Sequence, residues 1–232
     1  DHIGGNAFLQ QKTGCSVAAT QAESAFINSP VLEPAFLYGG FPIHSLRKKF
    51  LEAQTSSVTH VIPSSGCILN TPLEAVPLPG HFVDMIGVRT PDNVFFIADT
   101  VFSETIIGKY PIFFIYDVAG FLATLDTLEK AEASFFVPSH SAPTDDIRKL
   151  VTVNRNKVLK IIESILDCLN ERRTPDEILL FLCEKYRLAL DANQYVLVFN
   201  TLRSYLSHLF DQGMLEFLFK DGSLKLKRCS SP

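Results

Sequence analysis

The sequence contains no apolar run that approaches the ~20 residues of a membrane-spanning helix, and no basic stretch followed by an apolar one opens it. We therefore expect no membrane partner and no secretory leader. The five cysteines are odd in number, widely scattered and without the close C-x-x-C spacing of zinc or redox sites. This pattern predicts reduced, structural cysteines and a cytoplasmic location.

Positive charge is not in excess either. The chain has 21 Lys and Arg residues against 25 Asp and Glu, a formal charge of −4 with neutral histidines, so nucleic acid is not the default partner. The 232 residues are 47% hydrophobic and 20% charged. That composition is sufficient for a buried core and favours one large domain or two modest ones over disorder.

The first part of the chain mixes short β-rich runs with short helical segments. We expect helices over residues 5–13, 21–27, 45–53 and 116–132, strands over residues 94–98 and 135–137, and an irregular connection over residues 30–42. Other short β runs fall between residues 57 and 89. This mixture predicts an α/β layered domain over residues 1–143.

The segment from residue 144 has a different pattern. Residues 147–169 and 192–210 are long and helix-periodic, and a capping box at Thr174–Glu177 opens a third helix between them. Two alternating runs, 214–219 and 223–227, surround an Asp221-Gly222 pair that favours a hairpin turn. Three helices and a hairpin predict a small winged-helix-like α+β domain over residues 144–232.

Polar residues follow β-rich runs at three places, and the three side chains are candidate ligands. His81, Asp99 and His140 each come at once, or after a short turn, behind an apolar stretch. Because loops at strand carboxyl ends converge in α/β sheets, these groups could face one cleft, which Asp1 and His2 could complete. Imidazole nitrogens and carboxylates suit Zn²⁺, Fe²⁺ and Mn²⁺, so the set predicts a metal site.

Four ordered motifs resemble those of the metallo-β-lactamase superfamily. They are Asp1-His2-Ile3-Gly4-Gly5, Pro79-Gly80-His81, Ala98-Asp99 and Pro138-Ser139-His140. The chain is similar to the branch of glyoxalase-II-like and lactamase-like proteins that carry a C-terminal helical or winged-helix extension. The resemblance spans residues 1–143 and implies an αββα sandwich, here incomplete at its N-terminus.

The resemblance also implies a role for each candidate residue. Asp1, His2 and His140 would bind one metal ion, His81 would bind another, and Asp99 would bridge the two. Asp1 would in addition be the catalytic residue that orients or deprotonates the attacking water. The expected cofactor is Zn²⁺, as one or two ions, with Fe or Mn left open.

The sequence departs from the superfamily pattern in two places. The His-x-His pair that normally precedes the aspartate is absent before Asp1, so we expect that an N-terminal piece of the protein is missing. Without it, the second metal site keeps only His81 and Asp99, fewer than the three protein ligands typical of catalytic zinc. The second departure is Ala98, which stands where glycine usually precedes the bridging aspartate.

The function expected from these residues is metal-assisted hydrolysis of an ester, thioester, lactone or phosphodiester of a small-molecule substrate. One alternative is a nucleic-acid-binding protein or nuclease on the same scaffold, because basic residues gather near the hairpin. Another is a mononuclear iron oxygenase, because ligand types alone do not separate iron from zinc. A homodimer is left open, and His44, His60 and His208 are interpreted as ordinary surface or core histidines.

Overall fold

The protein is described by a computed structural model over residues 2–229. Its helices are α1 (Asn6–Thr13), α2 (Gln21–Asn28), α3 (Leu32–Tyr38), α4 (Glu104–Lys109), α5 (Val118–Lys130), α6 (Arg148–Cys168), α7 (Pro175–Tyr186) and α8 (Ala192–Asp211). Its strands are β1 (Ala18–Ala19), β2 (His60–Val61), β3 (Gly66–Cys67), β4 (Glu74–Pro77), β5 (Ile86–Arg89), β6 (Val94–Phe102), β7 (Phe135–His140), β8 (Leu215–Lys220) and β9 (Ser223–Arg228). A 3₁₀ turn covers His44–Leu46.

The main sheet has five strands in the order β3-β4-β5-β6-β7. Its pairs are antiparallel except β6 and β7, which run parallel. The connection from β6 to β7 contains α4 and α5, as a parallel pair requires a crossover. Strands β1 and β2 form a separate two-stranded parallel ladder. The predicted mixed α/β architecture is therefore present.

Two strands are longer than expected, and both carry a candidate ligand. Strand β6 continues to Phe102 instead of ending at Ala98, so Asp99 lies inside the strand and not beyond its end. Strand β7 continues to His140, which is its last residue. The two extensions support each other, because Phe102 and His140 pair across the parallel ladder after shifts of register at Ala98.

Two local predictions in the N-terminal segment are wrong. The irregular connection over residues 30–42 contains α3, whose Pro34 lies in the first helical turn, where a missing N–H leaves no hydrogen bond unmade. The helix expected over residues 45–53 is reduced to the 3₁₀ turn. The buried leucines there are Leu46 and Leu51, and residues five apart point about 140° away from each other on an α-helix. One face of an α-helix could therefore not bury both leucines.

The C-terminal elements follow the predicted order of three helices and a hairpin. Thr174 and Glu177 form the reciprocal capping box, and the hairpin turn has positive φ at both Asp221 and Gly222, as a two-residue turn of this kind requires. The assignment of these elements to a winged-helix-like domain, and the domain boundary between residues 143 and 144, stay predictions. One continuous buried cluster joins strand residues such as Phe95 to helix residues such as Ile161 and Leu202.

A second, smaller cluster ties the N-terminal segment to α8. It consists of Leu37, Leu46, Leu51 and Val196. Over residues 2–229, no helix combines the length and the apolar character that a membrane crossing demands.

Candidate metal centre

Asp99 lies at the middle of the candidate site. It is 3% exposed on β6, and three imidazoles surround its carboxylate. The Nε2 atoms of His140, His2 and His81 lie 3.1, 3.2 and 3.4 Å from its Oδ2. Ligand atoms about 2.0–2.2 Å from a tetrahedral zinc ion are themselves about 3.4 Å apart, so the separation of each imidazole nitrogen from Asp99 suits a cation shared by that pair.

The loop that carries His81 is held against the first turn of α5. Gly80 has φ +126°, and its carbonyl oxygen accepts hydrogen bonds from the backbone N–H groups of Tyr116 and Asp117, each at 2.9 Å. A Cβ at Gly80 would lie 2.3 Å from backbone atoms of Phe121. Glycine is therefore required here by close approach as well as by φ. These contacts turn His81 towards Asp99.

A second hydrogen bond settles which nitrogen of His81 carries its proton. Nδ1 lies 2.9 Å from the carbonyl oxygen of Phe114, which can only accept, so Nδ1 is the protonated nitrogen. Burial lowers the pKa of His81, although the charge of Asp99 opposes this, and the ring is neutral near pH 7. Its Nε2 then presents a lone pair to the carboxylate of Asp99. Backbone support of this kind commonly orients metal-binding histidines.

His140 and His2 complete the part of the cluster that the structure describes. One ligand atom from each of His2, Asp99 and His140 lies within 4.8 Å of the others. The two imidazole rings meet edge to face with centroids 5.3 Å apart. Asp1, the predicted catalytic residue, lies outside the described residues. Of the five predicted site residues, the structure thus brings the four described ones together.

The electrostatics of Asp99 keep it ionised. Burial raises its pKa, but the hydrogen bond from His2 and the nearby His140 hold it well below its usual range. His2 Nε2 also lies 3.1 Å from Oδ1, as an ion-pair contact and not a hydrogen bond. The buried Oδ1 therefore has no hydrogen-bond partner among residues 2–229. A buried, unsatisfied carboxylate oxygen at this point fits a metal ligand.

Asn154, which was not among the residues predicted from the sequence, positions the strand behind the cluster. Its Oδ1 accepts from the N–H of Phe102 at 3.0 Å, and its Nδ2 donates to the carbonyl oxygens of Phe102 at 2.9 Å and Leu150 at 2.8 Å. The side chain is fully buried on α6. A signal was present, because Asn154 interrupts the helical spacing of the apolar residues Val151 and Val158.

Comparison with known proteins identifies the fold. The structure matches a β-lactamase domain protein from Burkholderia ambifaria with a TM-score of 0.71 and 19% identity, over 99% of this chain and 71% of that one. It matches a metallo-β-lactamase family protein from Thermus thermophilus with a TM-score of 0.71 and 16% identity, over 99% of this chain and 76% of that one. No protein-family model and no curated protein matches the sequence. The chain has the metallo-β-lactamase fold, as the four motifs predicted.

Proposed function

We propose that the protein is a metal-dependent hydrolase whose metal centre includes His2, His81, Asp99 and His140. The observation that carries the proposal is the contact between His81 and Asp99. A neutral imidazole lone pair and an ionised carboxylate face each other across 3.4 Å, and two acceptors at that distance repel unless a proton or a cation lies between them. The same carboxylate has two further imidazoles against it, so a divalent cation is the better match.

Each residue of the proposed metal centre has a separate role. When bound, a divalent cation acidifies water and polarises a carbonyl or phosphoryl oxygen. Asp99 would offer its two oxygens as ligands to one or two ions, and His140 and His2, whose rings meet edge to face, would each offer Nε2. His81 approaches it with an orientation held by Phe114. Asp1 is proposed to orient the attacking water and to accept its proton.

Metal content tests this proposal. Asp99→Ala and His140→Ala should each lower the affinity for Zn²⁺ at least tenfold, because each removes a ligand from the cluster. His44→Ala is the matched control, since His44 is exposed on the 3₁₀ turn. The measurement is zinc titration together with elemental analysis of protein purified without added metal. Equal zinc binding by the three variants would contradict the proposal, and iron as the sole metal would favour the oxygenase alternative.

A further inference from the structure

A cavity of about 500 Å³ opens directly onto the candidate metal centre. Its wall includes all four described cluster residues, and most of the rest is apolar, with Phe26, Phe82, Phe113 and Leu197 among its residues. A larger cleft of about 660 Å³ shares Phe114 with this cavity, but none of the four cluster residues lines it. The smaller cavity is therefore where a substrate would meet the proposed catalytic groups.

An aromatic row leads from the cluster along this cavity. The ring of His81 meets Phe114 at 5.6 Å between centroids, and Phe114 lies 6.5 Å from Phe82. Phe82 in turn meets Phe26 of α2 edge to face at 4.9 Å. The row gives an extended apolar group a continuous surface that begins at the proposed ligands and ends at α2.

The wall of the cavity away from the proposed metal centre carries no basic side chain among its described residues. None of its described lining residues is Lys or Arg, whereas Glu23 and Glu33 both line it. Burial and the nearby Asp84 raise the pKa of Glu23 to about 7, and burial raises that of Glu33. Away from the proposed metal centre, a negatively charged part of a substrate would meet these carboxyl groups and neither Lys nor Arg, so it would lose hydration without gaining a partner there.

We propose that the substrate is an uncharged carboxylic ester with an extended apolar acyl group. The inference rests on the proposed hydrolase function and names the class of substrate. The ester carbonyl lies at the Asp99 cluster, and the acyl chain lies along Phe114, Phe82 and Phe26. Water adds to the carbonyl carbon, the bond from that carbon to the alkoxy oxygen breaks, and the products are a carboxylic acid and an alcohol. A lactone satisfies the same description, and a phosphodiester does not.

Matched chromogenic substrates test the inference on the zinc-loaded protein. They are p-nitrophenyl octanoate, p-nitrophenyl acetate and bis(p-nitrophenyl) phosphate, which all release p-nitrophenol. We expect kcat/KM for the octanoate to exceed that for the acetate at least tenfold, because the longer chain buries more apolar surface. The phosphodiester should be the poorest of the three. Comparable values for octanoate and acetate, or a preference for the phosphodiester, would overturn the inference.

Two variants locate the effect in the cavity. Phe26→Ala should reduce the ratio of octanoate to acetate kcat/KM about fivefold or more, whereas Phe8→Ala, on an exposed ring outside the cavity, should not change it. Glu33→Lys should raise kcat/KM for the anionic mono-p-nitrophenyl adipate relative to that for p-nitrophenyl octanoate. This variant tests the binding mode if Phe26→Ala does not fold. An unchanged ratio in Phe26→Ala, or in Glu33→Lys for the adipate, would contradict the proposed binding mode.

The two proposals fail in different ways. If the protein binds zinc and hydrolyses the phosphodiester best, the substrate class is wrong and the hydrolase function stands. If it binds no zinc and hydrolyses none of the substrates, the hydrolase function is wrong and the substrate class falls with it. Zinc content is measured on the same samples, so the two results are distinguished directly.

Discussion

The loop Pro79–His81 and the strand β6 each deliver one side chain to the same cluster, but different contacts hold them in place. The loop lies against backbone atoms of α5, at a distance that leaves no room for a Cβ at Gly80. Strand β6 is held at its end by the carboxamide of Asn154, which bonds to both polar backbone groups of Phe102. The loop is therefore positioned by close approach of two backbones in addition to hydrogen bonds, whereas the end of the strand is held by hydrogen bonds from one side chain.

This difference indicates which kind of substitution would disrupt each half of the site. A loop that lies in backbone contact with a helix is displaced when a substitution adds atoms at the contact, because neither backbone can move without distorting α5. A strand end held by one side-chain carboxamide is destabilised when that side chain is removed, because buried backbone groups then lose their hydrogen-bond partners. The two supports also lie on opposite sides of the predicted domain boundary, since α5 precedes residue 143 and α6 follows it. The helical part thus contributes to the geometry of the site.

Gly80→Ala breaks the loop and should have the largest effect. The new Cβ would lie 2.3 Å from backbone atoms of Phe121, and φ of +126° is unfavourable for any other residue. We expect a loss of about 3–5 kcal/mol in the free energy of unfolding, measured by urea denaturation. Gly108→Ala in α4 is the control, because its Cβ would meet nothing within 4 Å and a helical alanine is favoured by up to about 1 kcal/mol. Equal stabilities of the two variants would show that the close approach does not hold the loop.

Asn154→Ala breaks the strand's support and should have the next largest effect. It leaves the N–H and C=O of Phe102 without partners in a buried place, at a cost of about 2–4 kcal/mol. Thr152→Ala, two residues earlier on the exposed face of α6, removes only a hydroxyl bonded to the carbonyl of Arg148 and should change stability by less than about 0.5 kcal/mol. Urea denaturation of both variants is the measurement. A loss in Asn154→Ala no larger than in Thr152→Ala would mean that β6 is held by its sheet partners alone.

The cluster was predictable from the sequence because its members lie in motifs that end apolar runs. His81, Asp99 and His140 could be proposed together, since strands of one sheet bring distant segments to a common edge. The capping box at Thr174 and the turn at Asp221 were predictable for a simpler reason, because their geometry is decided by residues within four positions of each other. Local chemistry and ordered motifs thus carried most of the correct predictions.

The parts that were not predicted depend on contacts between distant segments. Helix α3 was interpreted as a loop because its proline and flanking glycines suggest breaks, yet Leu37 packs on α8 residue Val196 and stabilises the helix. Strand β6 passes Ala98 because β7 offers it a partner as far as His140. The aromatic row of the cavity joins Phe26 to Phe82, whose separation in the sequence gives no signal of contact. Tertiary packing decided each of these features.

Ala98→Gly sharpens the comparison by testing strain within β6 itself, and its effect should be the smallest. Ala98 has φ +48°, next to the shift of register that turns Asp99 into the cluster, and this conformation costs a non-glycine residue about 1–2 kcal/mol. A glycine at this position would not bear that cost. Its larger backbone entropy when unfolded offsets part of the gain, so we expect a net stabilisation of about 0.5–1 kcal/mol.

The control for Ala98→Gly is the same substitution in a helix. Ala123 is exposed in the middle of α5, where glycine is disfavoured by about 1 kcal/mol, so Ala123→Gly should destabilise the protein while Ala98→Gly stabilises it. Thermal denaturation of the two variants compares them directly. Opposite signs would place the strain in the backbone at Ala98, and would mean that β6 holds Asp99 at a cost that Asn154 and the sheet together sustain. Destabilisation by both would show instead that β6 accepts this turn without strain.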